Sequence, residues 1–133
     1  MTFASDILAV ELNTPGYPPW IRLRLPSNVA MRGSLSELGL VAARSELLVR
    51  HLAQDRDRQF PRLDKLDAVV QTIQRDGSLG VPALTVPRWG APVSELVFES
   101  GRHRVLMLHE LGAVMIPVVV PWDRAVDFLN YLG

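Results

Sequence analysis

The chain has 133 residues, with 14 basic and 14 acidic side chains, no cysteine and 48% hydrophobic residues. A chain of this length folds as one domain whose core needs neither a disulfide nor a structural metal. The absence of cysteine excludes disulfide scaffolds, cysteine-ligated zinc, iron–sulfur clusters and cysteine nucleophiles.

The formal net charge of zero limits nucleic-acid binding to a local basic cluster, since a broad attraction needs excess positive charge. The first ten residues lack a charged segment followed by a long apolar run, so we expect no secretory signal. We therefore expect a cytoplasmic location. The most apolar stretch, Val105 to Val120, is interrupted by His109, Glu110 and Pro117. It predicts a buried core and no membrane partner.

The first half of the chain predicts one strand and one helical region. A proline-rich segment from Thr14 to Pro19 precedes Trp20 to Leu25, where alternating apolar and basic side chains predict a half-buried strand. Ser34 to Glu37 resembles a capping box. Apolar residues then recur at helical spacing, which fits one helix or two short ones: Leu38, Val41, Ala42, Leu48, Val49 and Leu52. The polar run Gln54 to Gln59 is expected to be solvated, with a docking element as the alternative.

A second helix and a β-pair follow. An amphipathic helix is predicted from Pro61 to Asp76, and its apolar face carries Leu63, Leu66, Val69, Val70 and Ile73. Strands are predicted at Val81 to Val86 and at Leu96 to Phe98, on either side of a turn from Pro87 to Pro92.

The last third of the chain alternates helix and strand. A short helix is predicted from Arg102 to Leu111 with Gly112 as its left-handed cap, followed by a buried strand from Val114 to Val120. Asp123 is expected to cap a last helix that buries Val126, Leu129 and Leu132. The predicted fold class is therefore α/β (α+β), a single domain with one mixed sheet and flanking helices.

The most informative segment joins a strand end to a helix start. Glu99 and Ser100 precede Gly101, and three cationic or titratable side chains follow it: Arg102, His103 and Arg104. The first turn of a helix presents backbone N–H groups and a positive dipole end, and arginine adds paired donors. This pattern favours a phosphate. The alternative is that the arginines are simply solvated and the histidine packs as a half-buried ring.

The region from about Leu63 to Val120 resembles the ParB/sulfiredoxin superfamily, in particular the ParB-like nuclease domain. The resemblance rests on Pro82-Ala83-Leu84-Thr85-Val86, Glu99-Ser100-Gly101-Arg102-His103-Arg104, Leu111-Gly112 and Ile116-Pro117-Val118-Val119-Val120. It implies a ParB/sulfiredoxin-like domain over the whole chain, with residues 1–60 as an unassigned extension or a family-specific elaboration. It also implies a nucleotide, ATP or CTP with Mg²⁺, bound at Gly101 to Arg104.

Departures from the family pattern restrict what the resemblance implies. Sulfiredoxins have a catalytic cysteine where this chain has Arg102, so sulfinic-acid reduction is excluded. Many relatives have an aspartate where this chain has Ser100, and strand alternation places Glu99 on the opposite face. If the domain is a hydrolase, the candidate catalytic residues are His103, which would position or protonate a reacting oxygen, and Glu99, which would hold a divalent ion.

Other candidates carry weaker signals. Core or rim packing is the expected role of all three tryptophans, Trp20, Trp89 and Trp122, and Trp89, in the turn beside the expected site, is also a candidate for stacking on a base. His109 is expected to be a surface or packing residue, and His51 lacks a partner at the spacing of a zinc motif. No metal site is predicted from the residues alone.

Two functions remain open from the sequence. The first is a domain that binds nucleotide or DNA-backbone phosphate through its local basic cluster, either without turnover or as an NTPase or DNase. The second is a noncatalytic plasmid- or phage-associated accessory or inhibitor protein that acts through a protein partner.

Overall fold

The computed structural model describes residues 7–25, 38–54, 57 and 59–133. The strands are β1 (Ile7–Glu11), β2 (Trp20–Arg24), β3 (Leu38–Arg44), β4 (Ser78–Gly80), β5 (Ala83–Thr85), β6 (Val97–Ser100) and β7 (Met115–Pro121). The α-helices are α1 (Ser45–Ala53), α2 (Leu63–Asp76), α3 (Arg102–Glu110) and α4 (Ala125–Leu132), and single 3₁₀ turns span Val93–Glu95 and Trp122–Arg124.

The described strands form two mixed sheets rather than the single sheet expected from the sequence. One sheet has the order β1-β2-β4, and the other has the order β3-β7-β5-β6. In the first, β2 is antiparallel to β1 and parallel to β4. In the second, β7 is antiparallel to β3 and parallel to β5, which is antiparallel to β6. The α+β class and the predicted pairing of β5 with β6 are confirmed.

Both sheets contribute to one hydrophobic core. Ile21 and Leu23 of β2, Leu108 of α3, Ile116 of β7 and Phe128 of α4 are fully buried and belong to the same cluster. The predicted alternation in β2 is confirmed, because its two apolar residues are inside and its basic residues are exposed. The strands of the first 60 residues therefore pair with, and pack against, the region that carries the family resemblance.

The helical interpretation of Leu38 to Leu52 is wrong for its first half. Leu38–Arg44 forms β3, in which Gly39, Val41 and Ala43 alternate with more exposed residues and pair along the whole of β7. Over so few residues, the spacing of the apolar side chains fits both the helical period and the two-residue period of a strand. This segment forms a strand because it pairs with the apolar strand β7. The helix starts only at Ser45. The capping box predicted at Ser34 to Glu37 lies outside the described residues.

The last helix also differs from its prediction. α4 begins at Ala125 after a 3₁₀ turn that contains Asp123, and no side chain caps it. It buries Phe128 and Leu132, whereas Val126 and Leu129 are 69% and 51% exposed. A turn of 3₁₀ helix shifts which residues face the sheet, so the prediction is right for Leu132 and wrong for Val126 and Leu129.

Two further expectations about packing are corrected. Trp89 is 95% exposed and is not packed, whereas Trp20 and Trp122, at 54% and 52% exposed, occupy rim positions and not core positions. Leu63, expected on the apolar face of α2, is 81% exposed because it occupies the first position of that helix. Within the described residues, no helix combines the length and apolarity needed to cross a membrane.

Candidate functional site

Gly101 joins β6 to α3 in a backbone conformation that favours glycine. Its φ is +91°, and a Cβ built on it would lie 2.8 Å from Pro82 Cβ and 2.9 Å from Pro82 Cα. A larger residue would therefore be strained by its backbone and would overlap the start of β5. Glycine permits the close approach that sets the first turn of α3 beside Pro82.

A cavity of about 400 Å³ lies between α2, the end of β4 and the start of α3. Its lining combines backbone, apolar and basic groups: Lys65, Ala68, Val69, Thr72, Leu79, Gly80, Gly101, Arg102, His103 and Arg104. We call it the cationic cavity, because the described residues that line it include three permanently basic side chains and a histidine but no aspartate or glutamate. The first turn of α3, whose N–H groups have no partner within the helix, forms part of the wall.

Arg104 connects α3 to β4. Its Nη1 donates a hydrogen bond of 2.6 Å to the Gly80 carbonyl and makes a longer contact of 3.5 Å with the Val81 carbonyl. Burial lowers the pKa of this guanidinium, because desolvation disfavours the charged form. A Cβ at Gly80 would lie 2.7 Å from Arg104 Nη1, so the glycine makes room for the contact. Arg104 is thus partly a structural residue.

Arg102 is held by two groups that precede α2. Its Nη2 lies 3.1 Å from Asp57 Oδ2, and its guanidinium carbon lies 4.9 Å from the centre of the Phe60 ring. The side chain remains 30% exposed. An anion entering the cavity would compete with Asp57 for this guanidinium, which is already restrained by the aromatic ring.

His103 accepts a backbone hydrogen bond that requires a neutral ring. Its Nε2 accepts a hydrogen bond of 3.0 Å from the Arg62 backbone N–H, and its ring lies 4.9 Å from the Phe60 ring. Because Nε2 accepts, the neutral ring carries its proton on Nδ1. Desolvation lowers the pKa of His103, and the positive charges of Arg102 and Lys65 lower it further. A neutral imidazole is a poor general acid near neutral pH.

The structure does not bring all the predicted site residues together. Gly101, Arg102, His103 and Arg104 share the cationic cavity, whereas Glu99 is exposed on β6 and is absent from its lining. Trp89 lines a separate cavity of about 440 Å³ together with Arg88, Pro121 and Arg124. Neither the proposed carboxylate nor the proposed stacking residue is therefore part of the cationic cavity.

Sequence reasoning missed Lys65 and the segment that holds the basic side chains. Lys65 lies at the start of α2, 36 positions before Gly101, and reaches the cavity because α2 packs against α3. Asp57 and Phe60, which contact Arg102, were also missed. Asp57 lies within the polar run Gln54 to Gln59, which was expected to be solvated, and Phe60 directly follows that run. The sequence does single out Lys65, because it is the chain's one lysine among fourteen basic residues. This observation does not indicate that Lys65 lies beside Arg102 in the folded protein.

The other histidines have structural roles away from the cavity. Ser45, buried at the start of α1, donates from Oγ to the Ala113 carbonyl at 2.6 Å and lies 2.9 Å from His109 Nδ1. Since the one hydroxyl proton of Ser45 is used, His109 Nδ1 is the donor in the second contact. His51 Nε2 lies 2.9 Å from the Tyr131 hydroxyl. These contacts agree with the packing role expected for His109.

The described histidine, aspartate and glutamate side chains do not form a metal-binding group. Among residues 7–25, 38–54, 57 and 59–133, no group of three histidine, aspartate or glutamate side chains could hold one. Asp76, at the end of α2, forms an ion pair of 2.9 Å with Arg75, as expected for a helix-terminal residue.

Comparison with known proteins identifies a fold. No family model and no curated protein matches the sequence. Among solved structures, the crystal structure of the Oncogenic Suppression Activity Protein, a plasmid fertility inhibition factor solved as its gold(I) cyanide derivative, superposes with a TM-score of 0.65 at 16% sequence identity. The match covers 100% of this chain and 73% of that chain. The two chains share a fold. At this identity the likeness establishes the α+β architecture alone.

Proposed function

We propose that the cationic cavity binds the phosphate groups of a nucleotide. The observation that carries the proposal is that Lys65, Arg102 and Arg104 line one cavity together with the first turn of α3, and no aspartate or glutamate is among the described lining residues. Each group favours an anion: the guanidinium groups by paired hydrogen bonds, the ammonium as a point charge, and the helix start by its amides. A cavity of about 400 Å³ suits a small ligand.

The proposal concerns binding without turnover. Hydrolysis needs a group that activates water or protonates a leaving oxygen. In the ligand-free protein, His103 Nε2 is engaged by the Arg62 N–H and the pKa of the ring is lowered, and Glu99, the candidate for activating water, is outside the cavity lining. Because the described residues do not form a metal site, we assign no step to a metal ion. ATP and CTP are the nucleotides to test, each with and without Mg²⁺.

We also propose membership of the ParB/sulfiredoxin superfamily. What supports it is the order of elements around the cavity. β5 starts at Ala83 directly after Pro82, β6 leads into Gly101, α3 ends before Gly112, and β7 carries Pro117. These positions coincide with the sequence pattern on which the resemblance rests, and the basic residues after Gly101 face a cavity as the resemblance implies.

The binding proposal is tested by calorimetric titration of ATP, CTP and inorganic triphosphate into three variants. Arg102→Gln and Lys65→Gln are each expected to weaken binding by about tenfold to a hundredfold, because each removes a charged donor from the phosphate. Arg124→Gln is the matched control, since Arg124 is 20% exposed, is also ion-paired at 3.1 Å, and lines the other cavity. Equal loss in the control would point to a nonspecific charge effect.

A second candidate function follows from the structural neighbour. That protein is a plasmid fertility inhibition factor, and we infer that this chain could act as an inhibitor of plasmid transfer through a protein partner. The exposed tryptophans Trp89 and Trp122 are suitable contact residues. Expression in donor cells is expected to lower the frequency of conjugative plasmid transfer, and Trp89→Ala is expected to restore it. Unchanged transfer would contradict this candidate without affecting the binding proposal.

A further inference from the structure

His103 links the cationic cavity to the start of α2. The Arg62 N–H that donates to His103 Nε2 belongs to the N-cap residue of α2. The Arg62 carbonyl in turn accepts hydrogen bonds of 3.1 and 3.0 Å from the Lys65 and Leu66 amides. One ring nitrogen therefore joins the first turn of α3 to the first turn of α2, from which Lys65 reaches the cavity.

The hydrogen bond requires an imidazole that is not protonated at Nε2. Protonation places a proton on both ring nitrogens, and two donors then face each other at Arg62 N–H and His103 Nε2. The contact has to break, and the ring and the chain around Arg62 have to separate. The protonation state of His103 thus determines whether this hydrogen bond between the starts of α2 and α3 is present beside the cavity.

The charges around His103 are mostly positive. Desolvation is the main cause of its lowered pKa, and three basic side chains lower it further by repulsion, Arg102 on its own helix and Lys65 and Arg62 at the start of α2, while Asp64 opposes them. Asp57 forms an ion pair of 3.1 Å with the neighbouring Arg102. Arg104 is a further positive charge in the cavity lining. An anion bound among these groups would place a negative charge next to the His103 ring.

We propose that anion binding in the cationic cavity is coupled to uptake of a proton by His103 and to loss of its hydrogen bond from Arg62 N–H. This inference rests on the proposed binding function and adds its regulation. The protonated ring becomes a further cationic donor to the bound anion. Binding then also releases the contact between the starts of α2 and α3.

The sign of the pH dependence follows from the two states of the ring. In the free protein the pKa of His103 lies below its ordinary value, and a bound anion raises it because opposite charge favours the imidazolium. At a pH between these two pKa values, His103 takes up a proton when the anion binds. The affinity for the anion therefore rises as the pH falls, by at most about tenfold per pH unit. Above the higher value and below the lower one, this contribution is constant.

The test compares wild-type protein with His103→Gln by calorimetric titration of inorganic triphosphate between pH 5 and pH 8. Glutamine keeps an oxygen that can accept from Arg62 N–H but has no proton to gain. The titration of triphosphate itself is common to both proteins, so the ratio of their affinities isolates His103. We expect that ratio to rise in favour of wild type as the pH falls. In parallel, proton NMR of the imidazole ring in wild type measures its pKa with and without triphosphate.

Each outcome bears on the proposal in a defined way. A higher His103 pKa in the complex, together with the rising affinity ratio, supports the coupling. An unchanged pKa, or a ratio independent of pH, overturns the coupling while leaving phosphate binding in place. Failure of triphosphate to bind wild type at any pH overturns the proposed function itself. If His103→Gln does not fold, the NMR titration of wild type decides alone.

Discussion

Gly101→Ala is expected to lower the free energy of unfolding by about 2–4 kcal/mol. The residue has a φ of +91°, where a side chain is disfavoured, and the new Cβ would approach Pro82 Cα to 2.9 Å. Pro82 cannot move away freely, because its carbonyl accepts a 2.9 Å hydrogen bond from the Val119 amide. The expected relief is a shift of α3 relative to β5, which also disrupts the cationic cavity. Chemical denaturation monitored by circular dichroism measures the change.

Gly16→Ala is the matched control for this prediction. Gly16 has a nearly identical φ of +88°, but a Cβ built there meets no atom within 4 Å. Its loss of stability is expected to be about 1–2 kcal/mol, from the backbone conformation alone. The difference between the two variants then measures the overlap with Pro82. Equal losses would contradict the close packing of Gly101 against β5.

Arg104→Met is expected to lower the free energy of unfolding by about 1–3 kcal/mol. Methionine keeps much of the buried aliphatic stem but leaves the Gly80 carbonyl without the 2.6 Å hydrogen bond from Nη1. Arg50→Met, on the exposed face of α1, is the control and is expected to change stability by less than about 0.5 kcal/mol. Thermal unfolding of both variants without ligand measures the effect.

The outcome for Arg104 separates two roles that the sequence alone does not distinguish. If Arg104 served only as a ligand for phosphate, the ligand-free protein would keep its stability in the Arg104→Met variant. Loss of stability without ligand identifies the connection to β4 as a structural one. For this reason Arg102 and Lys65, rather than Arg104, are the residues on which binding is tested.

The local elements around the candidate site could be predicted from the sequence because their signals are local. Gly77 and Gly112 end α2 and α3 with φ values of +65° and +95°, as glycine at a helix end suggests. The turn rich in proline between β5 and β6 likewise marks a pair of adjacent strands. In such cases the deciding interactions lie within a few residues, so spacing and residue type suffice.

What could not be predicted depends on contacts between distant residues. β3 is a strand because it pairs along its whole length with β7, more than 70 positions away in the chain. Likewise, nothing in the sequence near Arg102 indicates that Asp57 holds it, or that Arg62 donates to His103. A charge cluster is visible in a sequence, but the partners that position each charge are set by the tertiary structure.

The positions of the basic side chains give the cavity two properties that a cluster of solvated charges lacks. Phe60 contacts both Arg102 and His103, so the two side chains are restrained before any ligand enters. Restraint reduces the conformational entropy that binding would otherwise cost. Asp57 neutralises part of the charge in the free protein, so the ligand must displace it from Arg102. Affinity should therefore depend on ligand charge, which favours a triphosphate over a monophosphate.

Phosphorus-31 NMR of ATP and CTP added to the unaltered protein tests the central claim most directly. The spectrum reports binding and turnover in one sample, because the phosphorus resonances shift or broaden in a complex and a new orthophosphate resonance appears on hydrolysis. We expect a saturable change in the triphosphate resonances and no orthophosphate above the rate without protein. Resonances unaffected at saturating protein would contradict binding in the cationic cavity, and release of orthophosphate that is lost in Arg102→Gln would contradict a role without turnover.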